Sequence, residues 1–197
     1  MARVLRGFRV VDQRRGIEYI QPMETNRYPI GRFSFNPSST RDMRSGWIAD
    51  IAALPPFLKS AVAGLDPAQL DTPYREGGWC PRQIVHHLAD SHMNAFLRFK
   101  LCLTENTPQI KPYNQDAWAK LADVIGVDIG FSLSLLEGLH GRFCALLSSL
   151  GPEDFQKTFL HPENGPTTLD RTLQIYAWHG KHHAGQILAL REERHWN

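Results

Sequence analysis

Apolar residues recur along this chain at intervals of three and four, the spacing of one face of an α-helix. The pattern first holds through Trp47, Ile51, Leu54, Leu58 and Val62. Pro55 and Pro56 lie inside it, and each lacks the N–H that a helix interior uses, so a kink or break is expected there. The preceding stretch, Tyr28 to Thr40, is rich in Pro, Gly, Ser and Asn and reads as an irregular arm. Beyond the first helix, Asp66-Pro67 can open a short helical turn, and Asp71 to Trp79 reads as a loop. A second helix is expected from Pro81 to about Thr104. Its stripe of Ile84, Leu88, Ala95, Phe99 and Cys102 is flanked by Val85, His92, Phe96 and Leu103. So broad an apolar face suits a helix packed against two neighbours.

Residues 105–130 contain Pro108, Pro112 and Gly126 and form a long connection, with a turn of helix around Ala117 to Ala122. A third helix follows from about Phe131 to Leu150, with Leu133, Leu136, His140, Phe143 and Leu147 on one side. Gly151-Pro152 ends it, and Phe159 to Pro166 reads as another loop. Thr167, with Asp170 three residues on, resembles a capping box that opens a fourth helix reaching about Arg194. No alternating strand pattern of useful length competes. The expected class is all-α, a four-helix bundle with a long crossover connection.

Composition adds limits. With 197 residues, 42% hydrophobic and 21% charged, the chain can bury one core. A net charge of +2 offers no concentrated basic face for nucleic acid. No apolar run is long enough for a membrane span. Three cysteines are too few and too scattered for a disulfide framework, which points to a reducing cytoplasm. Cys102 and Cys144 sit in apolar helical patterns as small hydrophobes. Cys80 stands at a helix start, where a thiolate is favoured, although an ordinary cap residue is the simpler reading. Met1 to Pro22 carries five arginines against Asp12 and Glu18, with no apolar signal core. A basic tail or a mis-set start, with the true one at Met23, is preferred over an unrecognised targeting segment, so 1–27 is set apart from a helical domain at 28–197.

Chemistry enters through the histidines. His179, His182 and His183 fall within five residues of the fourth helix. Positions i and i+4 share a face one turn apart, so two imidazoles so spaced can converge on one ion. Tyr176, Gly180, Ile187 and Leu190 mark the apolar face; at 100° per residue His183 falls inside that sector, His179 at its edge and His182 towards the polar side. The pair His179/His183 is therefore preferred as ligands, with a surface cluster or a satisfied core pair as the alternative. On the second helix, His86 looks outward with Arg82 and Met93, and His92 lies near the centre of the apolar face as a candidate core histidine. His87 shares a flanking polar stripe with Ser91, Asn94 and Arg98, which could line a cavity or face solvent. Periodicity does not decide between His87 and His92.

The run GGWCPRQIVHHLADSHMNAFLRFKLCLTE, Gly77 to Glu105, resembles the DinB-like superfamily, and within it the YfiT group, which carries the provisional label of metal-dependent hydrolases. YPIGRF (Tyr28 to Phe33), LDTPYREGGW (Leu70 to Trp79), LHGRF (Leu139 to Phe143) and YAWHGKHHAGQI (Tyr176 to Ile187) extend the likeness from Tyr28 to the end of the chain. The resemblance implies a four-helix bundle, a homodimer and one divalent metal per subunit held by three histidines. The second histidine of HHLADSH maps to His87, and the HxxxH ligands map to His179 and His183.

Three neutral imidazoles with an open position suit Zn²⁺, Ni²⁺ or Fe²⁺, and the resemblance favours zinc or nickel. A water or a thiol bound to such an ion is held in its deprotonated form near neutral pH. The HExxH motif of zinc peptidases carries a glutamate base after the first histidine; Gly180 stands there in this chain. Asp90 is the nearest carboxylate in sequence and a candidate acid or base, a supporting group, or a solvated charge. Tyr176 and Asn94 can contact a substrate or the ligands, with packing and local capping as the plainer roles. The expected function is a metal-dependent hydrolase acting on a small molecule through a water nucleophile. The alternatives are a metal-dependent transferase of a low-molecular-weight thiol (bacillithiol-type conjugation) and a non-catalytic metal-binding stress protein.

Overall fold

The computed structural model describes residues 27–196, preceded by the backbone of two short antiparallel strands, Val10–Asp12 (β1) and Ile17–Tyr19 (β2). The readings made for the rest of the basic segment, including a start at Met23, lie outside the described residues.

Four long helices form the body among the described residues: α1 (Arg41–Val62), α3 (Pro81–Thr104), α6 (Ile129–Ser148) and α7 (Leu169–Arg194). Three short helices stand in the connections: α2 (Pro67–Leu70), α4 (Gln115–Trp118) and α5 (Ala122–Ile125). Helices α1 and α3 each pack against both α6 and α7, so the order around the bundle is α1, α6, α3, α7. In this order α3 and α6 are neighbours, so the long connection carrying α4 and α5 joins adjacent helices, and the diagonal crossings fall to residues 63–80, between α1 and α3, and 149–168, between α6 and α7. No helix among the described residues is long and apolar enough to cross a membrane.

Local chemistry sets the helix starts. Thr40 accepts from the Met43 amide at 3.2 Å to open α1, and Asp66 and Gln69 form a reciprocal capping box on α2. The cap of α7 is Thr168, one residue later than the sequence suggested; its hydroxyl accepts from the Arg171 amide at 3.1 Å. Both threonines belong to a hairpin of β3 (Thr158–His161) and β4 (Gly165–Thr168), in which Thr167 pairs with Phe159 and Thr168 with Thr158, so the strand runs up to the cap itself; the Thr167 hydroxyl donates to the Gly165 carbonyl instead. This hairpin replaces the loop expected at Phe159 to Pro166. Its strands of four residues are too short to display the alternation that identifies a strand in sequence. Gly165, with φ of 68°, supplies the left-handed residue that closes it.

Asp170, freed from capping, becomes a clamp. It accepts from Arg44 Nε and Ser39 Oγ, both at 2.6 Å, and from Gln174 Nε2 at 3.0 Å. Arm, α1 and α7 meet at this one carboxylate, which is almost fully buried.

Helix α1 runs unbroken through Pro55 and Pro56, against the expected kink. Each proline leaves one carbonyl without its usual donor. Pro56 orphans the carbonyl of Ala52, an exposed residue that water reaches. Pro55 orphans that of buried Ile51, which lies 2.6 Å from His140 Nδ1 on α6. A donor from a neighbouring helix thus replaces the missing amide, and the helix keeps its course.

The core has two apolar clusters, one around Phe99, Phe143 and Leu173 and the other around Leu58, Leu88, Leu136 and Ile187. Helices α7 and α1 approach closely at Gly180, where an added Cβ would collide with both methyl groups of the buried Leu54 side chain. Gly180→Ala is expected to destabilise the protein by about 1–3 kcal/mol through overpacking, read as a lower urea midpoint at unchanged slope. An unchanged midpoint would mean that the two helices do not bear on each other there.

Candidate metal centre

His87 projects from the second turn of α3, and His179 and His183 from adjacent turns of α7. The structure brings these three together: one ring nitrogen from each lies within 4.8 Å of the other two. His87 Nε2 and His179 Nε2 are 3.1 Å apart. Trp79, delivered by the loop before α3, packs at 4.5 Å from the His87 ring and stacks on His183 at 6.0 Å, walling one side.

The tautomer of His183 follows from its partner. Gln186 Nε2 donates to the Arg27 carbonyl and to His182 Nε2, both at 3.1 Å, so its Oε1 faces His183 Nδ1 at 2.8 Å. That oxygen only accepts. His183 therefore carries its hydrogen on Nδ1 and presents a bare Nε2 lone pair to the cluster.

Burial holds the ligand rings neutral. It pushes His87 down to about 4, and pushes His179 and His183 well below the ordinary imidazole range, with mutual repulsion among the rings adding to the effect. Neutral imidazoles are the form that binds a metal.

Around the centre, the structure corrects two readings of the helical wheel. His86 is buried rather than outward, with Nδ1 2.8 Å from Ser132 Oγ, because α6 covers that face of α3. His182 is buried too, sandwiched by Trp178 (4.4 Å, nearly parallel) and Tyr28 (5.7 Å), because the arm lies over that face of α7. A wheel assigns one inward face, whereas these helices are covered from several sides. His92 is a fully buried core histidine, bonded to His140 and next to His179.

Asp90 is not brought to the three histidines. Its carboxyl is pushed up to about 6 by burial and by the charge of Asp123. Asn94 donates to the Asp90 carbonyl within its own helix, the local role that was the plainer reading. Tyr176 is nearly buried, edge-on to His92 at 5.0 Å, and its hydroxyl accepts from Ser91 at 3.4 Å. The three thiols are pushed up by burial, Cys80 included, so the helix start does not make a thiolate of it.

A cavity of about 590 Å³ reaches His179, lined among the described residues by Ser91, Tyr113, Tyr176, Arg98, Arg171 and the hairpin residues His161 and Glu163, but not by Asp90. Of these, Ser91, Arg98 and Tyr176 had appeared in sequence patterns. Tyr113 and the hairpin residues lie on connections with no periodicity and gave no signal.

Residues 57–187 match the DinB superfamily. The chain belongs to that superfamily. Proteins provisionally named metal-dependent hydrolases from Oceanobacillus iheyensis and Bacillus cereus are 49% and 51% identical to it. These alignments cover 86% and 88% of this chain, and 98% and 100% of the relatives. The solved structure of YfiT from Bacillus subtilis superposes with a TM-score of 0.85 at 45% identity, covering 88% of this chain and 99% of that one. YfiT is provisionally described as a metal-dependent hydrolase with an unusual four-helix bundle topology. A second four-helix bundle protein, TT2238, shares the fold at 21% identity, with a TM-score of 0.51 and 72% of this chain covered. The resemblance read from HHLADSH and HxxxH thus holds, as does the bundle it implied.

The buried neutral histidines give this DinB-superfamily member a pH dependence. His87 and His182 both fall to about 4, against about 6.5 in an unfolded chain. Between those values the unfolded state binds more protons, so stability is full above about pH 6.5 and is lost as pH falls towards 4. The urea midpoint of chelated protein is expected to fall through that window, with a shallower fall in His87→Gln. A midpoint that stays flat on acidification would contradict neutral burial.

Proposed function

We propose that this protein is a hydrolase of small molecules that holds one divalent cation, Zn²⁺ or Ni²⁺, on His87, His179 and His183. The observation that carries the reading is the convergence of three neutral imidazoles, His87 buried and the other two half-buried, with His179 lining an open cavity. Nitrogens 3.1 Å apart are close enough for both to reach one ion at the usual Zn–N distance of about 2.0–2.1 Å. Two lone pairs at that separation repel unless a proton or a cation lies between them. A purely structural zinc site closes with four protein ligands, whereas three leave a position for reaction.

The ion, when bound, supplies Lewis acidity that lowers the pKa of a water or a thiol presented to it. The chain's own residues supply the surroundings. Trp79 shields the ligands from one side, and Arg98 and Arg171 place positive charge along the cavity. The Ser91–Tyr176 pair offers hydroxyls beside His179.

One observation favours a second reading. Gly180 stands at the position of the HExxH glutamate, where a side chain would press on Leu54, and Asp90 does not line the cavity. Transfer of a low-molecular-weight thiol, activated by the metal itself, has less need of a carboxylate base than water attack has. We also propose that the chain acts as a homodimer, for which the exposed apolar residues Leu121, Ile125, Phe131 and Leu135 offer a surface.

Metal-loaded protein assayed against ester and amide substrates is expected to hydrolyse at least one of them, with activity lost on chelation and in His183→Ala. Loss of that ligand should weaken metal binding by more than the roughly 10- to 100-fold typical of losing a supporting partner. Conjugation of thiols to a bimane electrophile, lost on chelation without hydrolysis, would replace the first reading with the second. Metal binding without either activity would leave a non-catalytic metal protein.

A further inference from the structure

The Ile51 carbonyl, deprived of a helical partner by Pro55, is 1% exposed and has no access to water. The nitrogen beside it is His140 Nδ1, at 2.6 Å. A carbonyl oxygen only accepts, so His140 carries its hydrogen on Nδ1, and in the neutral ring Nε2 is a bare acceptor. His92 Nδ1 lies 3.0 Å from that acceptor and must donate to it. His92 Nε2 is then bare in turn, and faces His179 Nδ1 at 3.5 Å, the longest of the three links. His179 therefore donates from Nδ1, and its lone pair sits on Nε2, the atom 3.1 Å from His87 Nε2.

Geometry holds this chain in place. His92 and His140 are 0% and 2% exposed and stack at 4.8 Å with planes 26° apart. Tyr176 meets His92 edge-on at 5.0 Å, so the ring cannot swing aside. His183 has a separate anchor in Gln186, and the relay serves His179 alone.

We propose that His92 and His140 are positioning residues, which carry the demand of the Ile51 carbonyl across the core and fix the tautomer of His179. A proline in α1 thereby decides which nitrogen of an α7 histidine is offered to the cluster. In the metal-free protein His87 then donates its Nε2 hydrogen to His179 Nε2, and a cation takes the place of that hydrogen. The consequence for metal affinity rests on the proposed metal centre. The tautomers themselves do not.

The test uses full-length protein with ¹⁵N-labelled histidine, both chelated and zinc-loaded. Long-range ¹H–¹⁵N spectra of the chelated form are expected to assign His140, His92 and His179 as Nδ1–H and His87 as Nε2–H. Zinc affinity, measured by competition with a chelating dye, is expected to fall roughly 10- to 100-fold in His140→Leu. His140→Gln should restore it, because a glutamine amide both donates to Ile51 and accepts from His92. An Nε2–H tautomer at His179 in chelated wild-type protein would overturn the relay, even if His140→Leu does not fold. So would unchanged affinity in a folded His140→Leu. Protein with the expected tautomers that binds no zinc, nickel or cobalt would refute the metal centre and leave the relay standing.

Discussion

The approach of α7 to α1 at Gly180 governs the arrangement of the candidate site. Gly180 lies between His179 and His183, and its missing side chain lets the helix rest on Leu54. With that face of α7 against α1, the two histidines turn towards α3, where His87 completes the cluster. The same contact disfavours a side chain after the first histidine. Packing thus sets the ligand geometry and also the kind of chemistry that can accompany it.

An unpaired buried donor or acceptor costs about 1–3 kcal/mol, and His140, His92 and His183 each have a fixed partner that avoids it. The anchors used are groups that do not titrate near neutral pH. The Ile51 carbonyl serves His140, and the Gln186 amide, itself tied to the Arg27 carbonyl, serves His183. Fixed acceptors remove the choice of tautomer that a solvated histidine keeps, and leave lone pairs directed at one point.

The arm is part of the same system. Asp170 draws Ser39 and Arg44 onto the start of α7, while Gln174 donates to the Asn36 carbonyl. The arm so held lays Tyr28 over His182 and brings the Arg27 carbonyl to Gln186. Removing one partner of a buried charged pair leaves the other uncompensated, so this clamp ties the order of the arm to the integrity of α7. On the opposite side the hairpin and the 105–130 connection build the cavity wall, joined through Ile110 N to the Leu160 carbonyl at 3.0 Å. The site therefore draws on segments that lie between the long helices as much as on the helices themselves.

Sequence alone determined what depends on short-range repetition. The bounds of α3 and α7 follow from apolar spacing, proline at a first turn and capping residues, and the sharing of a face by His179 and His183 follows from the helical repeat. HHLADSH and HxxxH carried the superfamily and, with it, the mapping to His87. Tertiary structure decided everything set by contact between distant segments. His86 and His182 are buried because α6 and the arm cover faces that a wheel counts as outer. Helix α1 survives two prolines because a histidine 89 residues away replaces the missing donor. Thr168 rather than Thr167 caps α7 because the hairpin with Thr158–His161 keeps the chain extended as far as Thr168, and the helix begins only after it. Spacing along a chain encodes which residues share a face; which neighbour that face will meet is a property of the folded molecule, and at this site the neighbours fix which nitrogens are free.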